Sequence, residues 1–214
     1  MQPSDWTPRV LPIIAEHLAL DFANTVDDPL GPERYDHAGT YPELVQWAER
    51  VGLLDSRSSS ALIDQAETHP VRAAHALTLA HELRDALNDL FGALADGGGM
   101  LPRHWLALRP FVARAWADAE LNPAVLQDSP WQWAPSEPGA FLHPIAVSAA
   151  DLLADHRLAQ LRRCARCPWL FLDNSRNHTR RWCDMDDCGR AAKIEKILAK
   201  RAAARKGQPR VTPR

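Results

Sequence analysis

The sequence has 214 residues, of which 46% are hydrophobic and 24% are charged, a composition typical of one large domain or of one domain with a small appendage. No run of 18 apolar residues predicts a membrane span, and the first residues have neither the basic start nor the apolar core of a secretory signal. These features favour a cytoplasmic protein, in which we expect cysteines to be reduced.

The charge is divided unevenly along the chain, although its formal net value is only −2. Residues 1–161 hold 10 Lys and Arg against 22 Asp and Glu, which is a net −12. Residues 162–214 hold 15 Lys and Arg against 5 Asp and Glu, which is a net +10, and they contain all four cysteines. This division predicts two parts with different partners, since charge distribution governs association more than fold.

In chain order, residues 1–161 predict helices joined by short turns. Thr40 and Glu43 have the spacing of a capping box, so we expect a helix to begin there. The strongest helical pattern begins near Pro70 and is stopped by the glycines at 97–99.

The second half of this part predicts two more helices and little strand. One helix is expected over 106–121, broken or kinked by Pro110, and another over 145–161. The second helix leads into the first cysteine without a linker, so we expect a rigid attachment. Alternating apolar and polar residues predict short strands only around Trp131–Trp133 and Trp169–Leu172.

The four cysteines form two close pairs. Cys164 and Cys167 are separated by two residues, Cys183 and Cys188 by four, and fifteen residues lie between the pairs. This spacing is typical of a tetrahedral zinc site, because each pair makes a turn that offers two sulfurs to one ion. We predict one structural Zn²⁺ held by these four thiolates, with no open position for catalysis. A redox pair and an iron–sulfur cluster are the competing interpretations, and the first lacks its βαβ context.

A basic helix is predicted after the last cysteine, over 190–205, with Cys188 in its first turn. The expected fold class is mostly α, a helical N-terminal domain followed by a small C-terminal zinc-finger module with four cysteine ligands that ends in this helix. The predicted divisions are a helical domain over 1–161, the finger and helix over 162–205, and a disordered polar tail over 206–214.

Two parts of the sequence resemble the CGNR zinc-finger family. The finger pattern consists of Cys-Ala-Arg-Cys-Pro-Trp-Leu-Phe-Leu-Asp-Asn-Ser from Cys164, Arg-Arg-Trp-Cys-Asp-Met from Arg180, and a final Cys-Gly. Upstream, Leu-Ala-Leu-Asp-Phe-Ala-Asn-Thr-Val from Leu18 resembles the start of the ABATE-type helical domain that usually precedes this finger. The resemblance implies a stress-response transcription regulator in which the helical domain binds a ligand and the finger binds DNA. In one departure, the family's Asn-Arg is replaced here by Arg190 and Ala191, so we expect a DNA sequence preference that differs from the family's.

The basic part is predicted to bind nucleic acid. Lys193, Lys196 and Lys200 share one face of the last predicted helix, and the loop 174–181 is rich in small polar and cationic groups suited to phosphate oxygens. A merely solvated basic face is the alternative. The predicted nucleic-acid contacts are Arg176, Arg180, Arg181, Arg190, Lys193, Lys196 and Lys200.

A second face of the same helix carries Ile194, Ile197 and Leu198, which we expect to pack on the finger or on the helical domain. A single finger would bind DNA weakly, so a homodimer is one arrangement to consider.

Polar residues within the apolar run 11–26 are candidates for a ligand site. Asp21 and Asn24 must be hydrogen-bonded if they are buried, either to a ligand or to loops that they cap. Arg84, on the strongest helix, could pair with Asp21, pair with an acidic ligand, or lie on the surface. Asp21, Asn24 and Arg84 are therefore the candidate ligand-binding residues.

No catalytic motif is present in the sequence, so an enzyme is not expected. The leading hypothesis is a ligand-responsive transcription regulator that binds DNA through its basic zinc finger. The alternatives are a zinc-stabilised protein–protein adaptor, whose basic face docks an acidic partner, and an RNA-binding protein.

Overall fold

The computed structural model describes residues 11–27, 35–125 and 130–206, and these ranges contain seven α-helices. The predicted mostly helical fold with a small C-terminal cysteine module is thus confirmed. None of the helices in these ranges combines the length and hydropathy needed to span a membrane. The helices are α1 (Leu18–Ala23), α2 (Tyr41–Arg50), α3 (Ser56–Thr68), α4 (Pro70–Ala95), α5 (Pro102–Ala117), α6 (Leu142–Ala154) and α7 (Arg190–Lys206).

Six short strands pair into three antiparallel two-stranded sheets within the same ranges. The two predicted strand regions are confirmed as the strands Trp131–Gln132 and Leu170–Leu172. The pairs are β1 (Val26–Asp27) with β2 (Tyr35–Asp36), β3 (Glu120–Leu121) with β4 (Trp131–Gln132), and β5 (Leu161–Arg163) with β6 (Leu170–Leu172).

Local sequence signals account for the starts of two helices. At α2 the Glu43 backbone nitrogen donates to Thr40 Oγ1 and the Thr40 nitrogen donates to Glu43 Oε2 at 2.9 Å, so the predicted capping box is confirmed. The long helix α4 begins at Pro70 as predicted, and its last residue, Ala95, lies just before the glycines.

The predicted tail from residue 206 lies outside the described residues except for Lys206, the last residue of α7.

Pro110 lies inside α5, and the helix continues through it. Of the two predicted effects of Pro110, a break or a kink, the break was therefore wrong. Proline removes one helical hydrogen bond, but the rest of the helix is held by its apolar face. Leu108 and Ala115 are fully buried on that face, and α5 packs against α4 and α6.

The predicted helix over 145–161 was wrong at its end, because α6 stops at Ala154. Asp155 has an extended backbone, and its carboxylate accepts a 2.8 Å hydrogen bond from the Arg157 nitrogen. This cap starts a short 3₁₀ turn over His156–Gln160. The residues that follow form β5, which pairs with β6 and brings the first two cysteines into one hairpin.

One hydrophobic core runs through both parts of the chain. Leu20 of α1 and Leu90 of α4 are fully buried in the same cluster as Phe171 of β6 and the zinc-module cysteines Cys164 and Cys183. The predicted division between residues 161 and 162 stays a prediction, and the packing is continuous across it.

Asn24 joins the helical part to the finger through two hydrogen bonds. Its side-chain nitrogen donates to the Leu170 carbonyl at 2.8 Å, and the Leu170 nitrogen donates to its side-chain oxygen at 2.9 Å. The side chain is almost fully buried, so this amide occupies the place of a neighbouring strand beside β6.

Replacement of Asn24 by alanine is expected to destabilise the protein by roughly 2–4 kcal/mol, since it leaves both backbone groups of Leu170 buried without a partner. Urea unfolding followed by circular dichroism measures the loss. Asn177→Ala, at an exposed position in the finger loop, is the matched control. A change below about 0.5 kcal/mol for Asn24→Ala, similar to that of the control, would contradict the structural role.

Candidate zinc centre and nucleic-acid interface

The four cysteine sulfurs converge on one point, each within 4.8 Å of the others. The Sγ of Cys183 lies 3.4 Å from that of Cys167 and 3.7 Å from that of Cys188, and the sulfurs of Cys167 and Cys188 are 3.6 Å apart. A tetrahedral ion with Zn–S bonds of about 2.3 Å places its sulfurs about 3.8 Å apart. The group therefore fits one structural zinc ion, as the spacing predicted.

The first pair of ligands lies at the β5–β6 hairpin. Cys164 follows β5 directly, and its backbone nitrogen donates to the Trp169 carbonyl at 2.9 Å, which closes the turn that carries Cys167. The hairpin is fixed near its turn by Arg163, which donates hydrogen bonds to Asp96 after α4 and to the Pro168 carbonyl. Thus α4 supports the first half of the metal site.

The last ligand lies in a π-helical turn over Met185–Gly189, which runs directly into α7. Cys188 was predicted in the first turn of the final helix, and it instead precedes that helix. Asp184 caps the turn, because its carboxylate accepts hydrogen bonds from the nitrogens of Asp186 and Asp187. The cap turns the chain so that Cys188 faces the other three sulfurs.

The burial of the cysteines and their number favour a structural role for this metal site. Three of the cysteines are buried and Cys167 is half-buried. Burial raises the pKa of the Cys188 thiol, so a bound cation is needed to hold it as thiolate at neutral pH. Four protein ligands complete a tetrahedral shell and leave no position for a substrate.

Arg180 is one of the predicted nucleic-acid contacts, yet its guanidinium is bonded inside the finger. It donates to the carbonyls of Trp182 and Cys183 and lies over the Phe171 ring, 4.8 Å from its centroid. These contacts hold the chain at Cys183, so the side chain braces the metal site. Its role in nucleic-acid binding stays a prediction.

Asp173 organises the loop between β6 and the third cysteine, and the sequence analysis missed it. Its carboxylate is fully buried and accepts hydrogen bonds from the Ser175 nitrogen at 3.0 Å, the Ser175 hydroxyl at 2.5 Å and the Arg180 nitrogen at 3.0 Å. His178 has a left-handed backbone with φ of 49° and bonds the Asp173 carbonyl. An Asp two residues before a Ser is a turn signal that could have identified it.

The other six predicted contacts are exposed on the loop and on α7. They lie outside the core, and Arg181 covers the Trp182 ring at 5.6 Å. These residues are Arg176, Arg181, Arg190, Lys193, Lys196 and Lys200.

The apolar face of α7 is not packed, which corrects the expectation for it. Ile194, Ile197 and Leu198 are 47%, 43% and 56% exposed. Because α7 packs mainly against the π-helical turn at its start, most of its length projects beyond the finger.

The three candidate ligand-binding residues have partners within the protein. Asp21 accepts hydrogen bonds from the nitrogens of Ile14 and Ala15, and Asn24 binds β6 as described. Arg84 is fully buried and pairs with Asp36 rather than with Asp21, at 2.7 Å between Nη1 and Oδ1. It is therefore not a surface residue. A ligand role for Asp21, Asn24 and Arg84 stays a prediction.

Comparison with protein families agrees with this geometry. No curated protein matches the chain. The family model described as "Putative stress-induced transcription regulator", ABATE, matches residues 16–156, and the CGNR zinc-finger model matches residues 160–201. Neither description is that of an enzyme. The chain therefore belongs to the ABATE family and carries a CGNR zinc finger at its C-terminal side.

Proposed function

We propose that this protein is a cytoplasmic, ligand-responsive transcription regulator that holds DNA with the basic face of its zinc finger. The observation that carries the proposal is the group of exposed cations on the finger loop and α7. They belong to a segment with net charge +10 beside a segment with net charge −12. Cations concentrated on one small module provide the attraction to phosphates that dominates DNA affinity.

The shape of α7 suits a DNA groove. Its 17 residues extend about 25 Å, and its side chains are exposed from Lys193 to Ala203. A helix of ordinary width fits the major groove of B-DNA. In this arrangement Lys193, Lys196 and Lys200 contact phosphates along one face, and Arg190 supplies a cation at the start of the helix.

The loop 174–181 provides the second half of the interface. Asp173 and Arg180 hold its ends against the finger, so Arg176 and Arg181 are presented on a supported backbone. Contacts from an ordered loop and from a helix would fix the orientation of the finger on the duplex.

The test is fluorescence anisotropy of labelled duplex DNA with the zinc-loaded full chain at several salt concentrations. With about five phosphate contacts, the expected slope of log K against log salt is about −4.5. The variant Lys193→Ala/Lys196→Ala should reduce the magnitude of that slope by about 1.8, because each lost contact contributes about 0.9. Arg103→Ala/Arg109→Ala removes two exposed cations from α5 and is the matched control. Light scattering on the same samples measures whether the species that binds DNA is a homodimer.

Absence of salt-dependent affinity for any duplex at low salt, with one zinc ion confirmed by mass, would contradict the proposal. The alternative is then a protein–protein adaptor. The exposed stripe of Ile194, Ile197 and Leu198 favours that second function, because apolar side chains grouped on one helix face are typical of a protein contact. Full-length protein is required for either test, since the finger shares its core with α1 and α4.

A further inference from the structure

A groove in the helical part, lined by none of the zinc-module residues, has the features of a small-molecule site. It lies between the first half of α4 and the segment 133–140, beside the end of α5 and the start of α6, and its volume is about 800 Å³. An adjoining, more apolar groove of about 470 Å³ continues it and shares Leu79, Arg114 and His143 with it. These dimensions suit a drug-sized molecule. We propose that this groove binds a planar aromatic carboxylate. This proposal rests on the proposed function, because it supplies the ligand to which the regulator responds.

An aromatic wall is already in place in the groove. Trp133 lines it, and its Nε1 donates a 2.7 Å hydrogen bond to the Ala115 carbonyl, which fixes the ring. The His143 ring lies on the same side, 6.3 Å from the Trp133 centroid. A flat ring can stack on this surface with little cost in side-chain entropy, because the indole is held before the ligand arrives.

The apolar end of the groove extends this wall. Leu79 of α4, Phe111 of α5, and Leu142 and Ala146 of α6 line it, and Leu106 at its edge is 54% exposed. These side chains can cover the hydrocarbon part of a ligand, and the exposed Leu106 would be buried in the same step. The Trp133 end and this end thus give the groove one polar and one apolar half.

At the polar end, two arginines face two carboxylates, and the guanidinium groups keep N–H donors that these carboxylates do not use. Arg72 uses one donor on Glu137 at 2.7 Å, and Arg114 is bonded to Asp118, although a guanidinium has five N–H donors. His75 is exposed, with no partner in the described part of the chain. These unused donors match an anion with two acceptor oxygens, and bidentate binding by arginine is typical for a carboxylate.

The pair at the mouth of the groove can open for such a ligand. The side chains of Arg72 and Glu137 are 55% and 62% exposed, and ion pairs this exposed contribute little to stability. A ligand carboxylate can therefore take the place of Glu137 on Arg72 while its ring contacts Trp133. The displaced Glu137 carboxylate is 62% exposed, so water can solvate it after the exchange.

Isothermal titration of the full-length protein with 1-naphthoate and with 1-naphthalenemethanol tests the site. We expect the carboxylate to bind at least tenfold more tightly than the alcohol. Arg72→Gln should remove that preference, and Ala107→Trp, at an exposed position lining the apolar end, should weaken both probes about tenfold. The matched controls are Arg57→Gln and Ala74→Trp, which are exposed positions on α3 and α4 outside the groove.

Equal affinity for the two probes, or affinity unchanged by both Arg72→Gln and Ala107→Trp, would overturn the proposal. The titration contains no DNA, so its outcome is separate from that of the anisotropy experiment. Binding of 1-naphthoate with the expected variant pattern supports the groove even where no duplex is bound.

Discussion

Replacement of Cys183 by serine is expected to abolish zinc binding and to unfold more of the protein than the finger. Coordination of a structural zinc ion by four thiolates contributes free energy on the order of 10 kcal/mol. Cys183 is 2% exposed and lies in the same core as Leu20 of α1 and Leu90 of α4. Loss of the metal should therefore expose β6 and loosen the helices that pack on it.

Mass spectrometry under native conditions, or elemental analysis, measures the zinc content, which should fall from one ion per chain to none. Thermal unfolding by circular dichroism should show one transition at a much lower temperature. Removal of zinc from the unmodified protein by a chelator should have the same effect. Met185→Ser, at a 59% exposed position of the same π-helical turn, is the control and should retain the ion.

Two results would contradict this prediction. One is a full equivalent of zinc in Cys183→Ser. The other is an unchanged helical transition, with only a small separate loss of signal from the finger. The second result would mean that the shared core does not couple the two parts during unfolding.

Asp36→Asn is expected to destabilise the protein by about 3–5 kcal/mol, because it leaves a buried guanidinium without its counter-charge. Arg84 is fully buried, and its two terminal nitrogens bond the two oxygens of Asp36 at 2.7 and 2.5 Å. Among the described residues, the other hydrogen-bond partner of its side chain is Thr25 Oγ1 at 3.2 Å, which is neutral. Urea unfolding at pH 7 measures the loss, and Asp64→Asn, on the surface of α3, is the control.

A double variant separates the pair from its parts. Arg84→Met/Asp36→Leu removes both charges, so it should be less destabilising than Asp36→Asn alone. The contrary result is a double variant whose free energy of unfolding is lower than that of Asp36→Asn by as much as an independent second substitution would lower it. The two side chains would then not act as a pair.

The same ion pair predicts a pH dependence. Burial acts to raise the pKa of Asp36, but the hydrogen bonds and charge of Arg84 outweigh it, so the pKa is lowered in the folded protein. A carboxyl with a lowered folded pKa adds stability above its unfolded pKa of about 3.9, and this is lost as pH falls through the folded value. The difference between unmodified protein and Asp36→Asn should therefore shrink in acid. An equal difference at pH 7 and pH 3 would contradict this origin.

Several features of the fold follow from short-range patterns in the sequence. The capping box at Thr40 and the start of α4 at Pro70 depend on residues within one helical turn. The cysteine spacing predicted the metal group, because the ligands of each pair are only a few residues apart and Zn²⁺ has few geometric options. The uneven charge is likewise a property of composition alone.

The sequence by itself thus determined the helical class, the zinc ligands and the basic C-terminal part, all of which depend on neighbouring residues. Only the tertiary structure decided the pairing of Arg84 with Asp36, 48 residues away, and of Asn24 with Leu170, 146 residues away. It also decided the exposure of Ile197 on α7. The physical reason is that side-chain periodicity indicates which faces are apolar, whereas the partner of each buried polar group depends on which helices meet in the core.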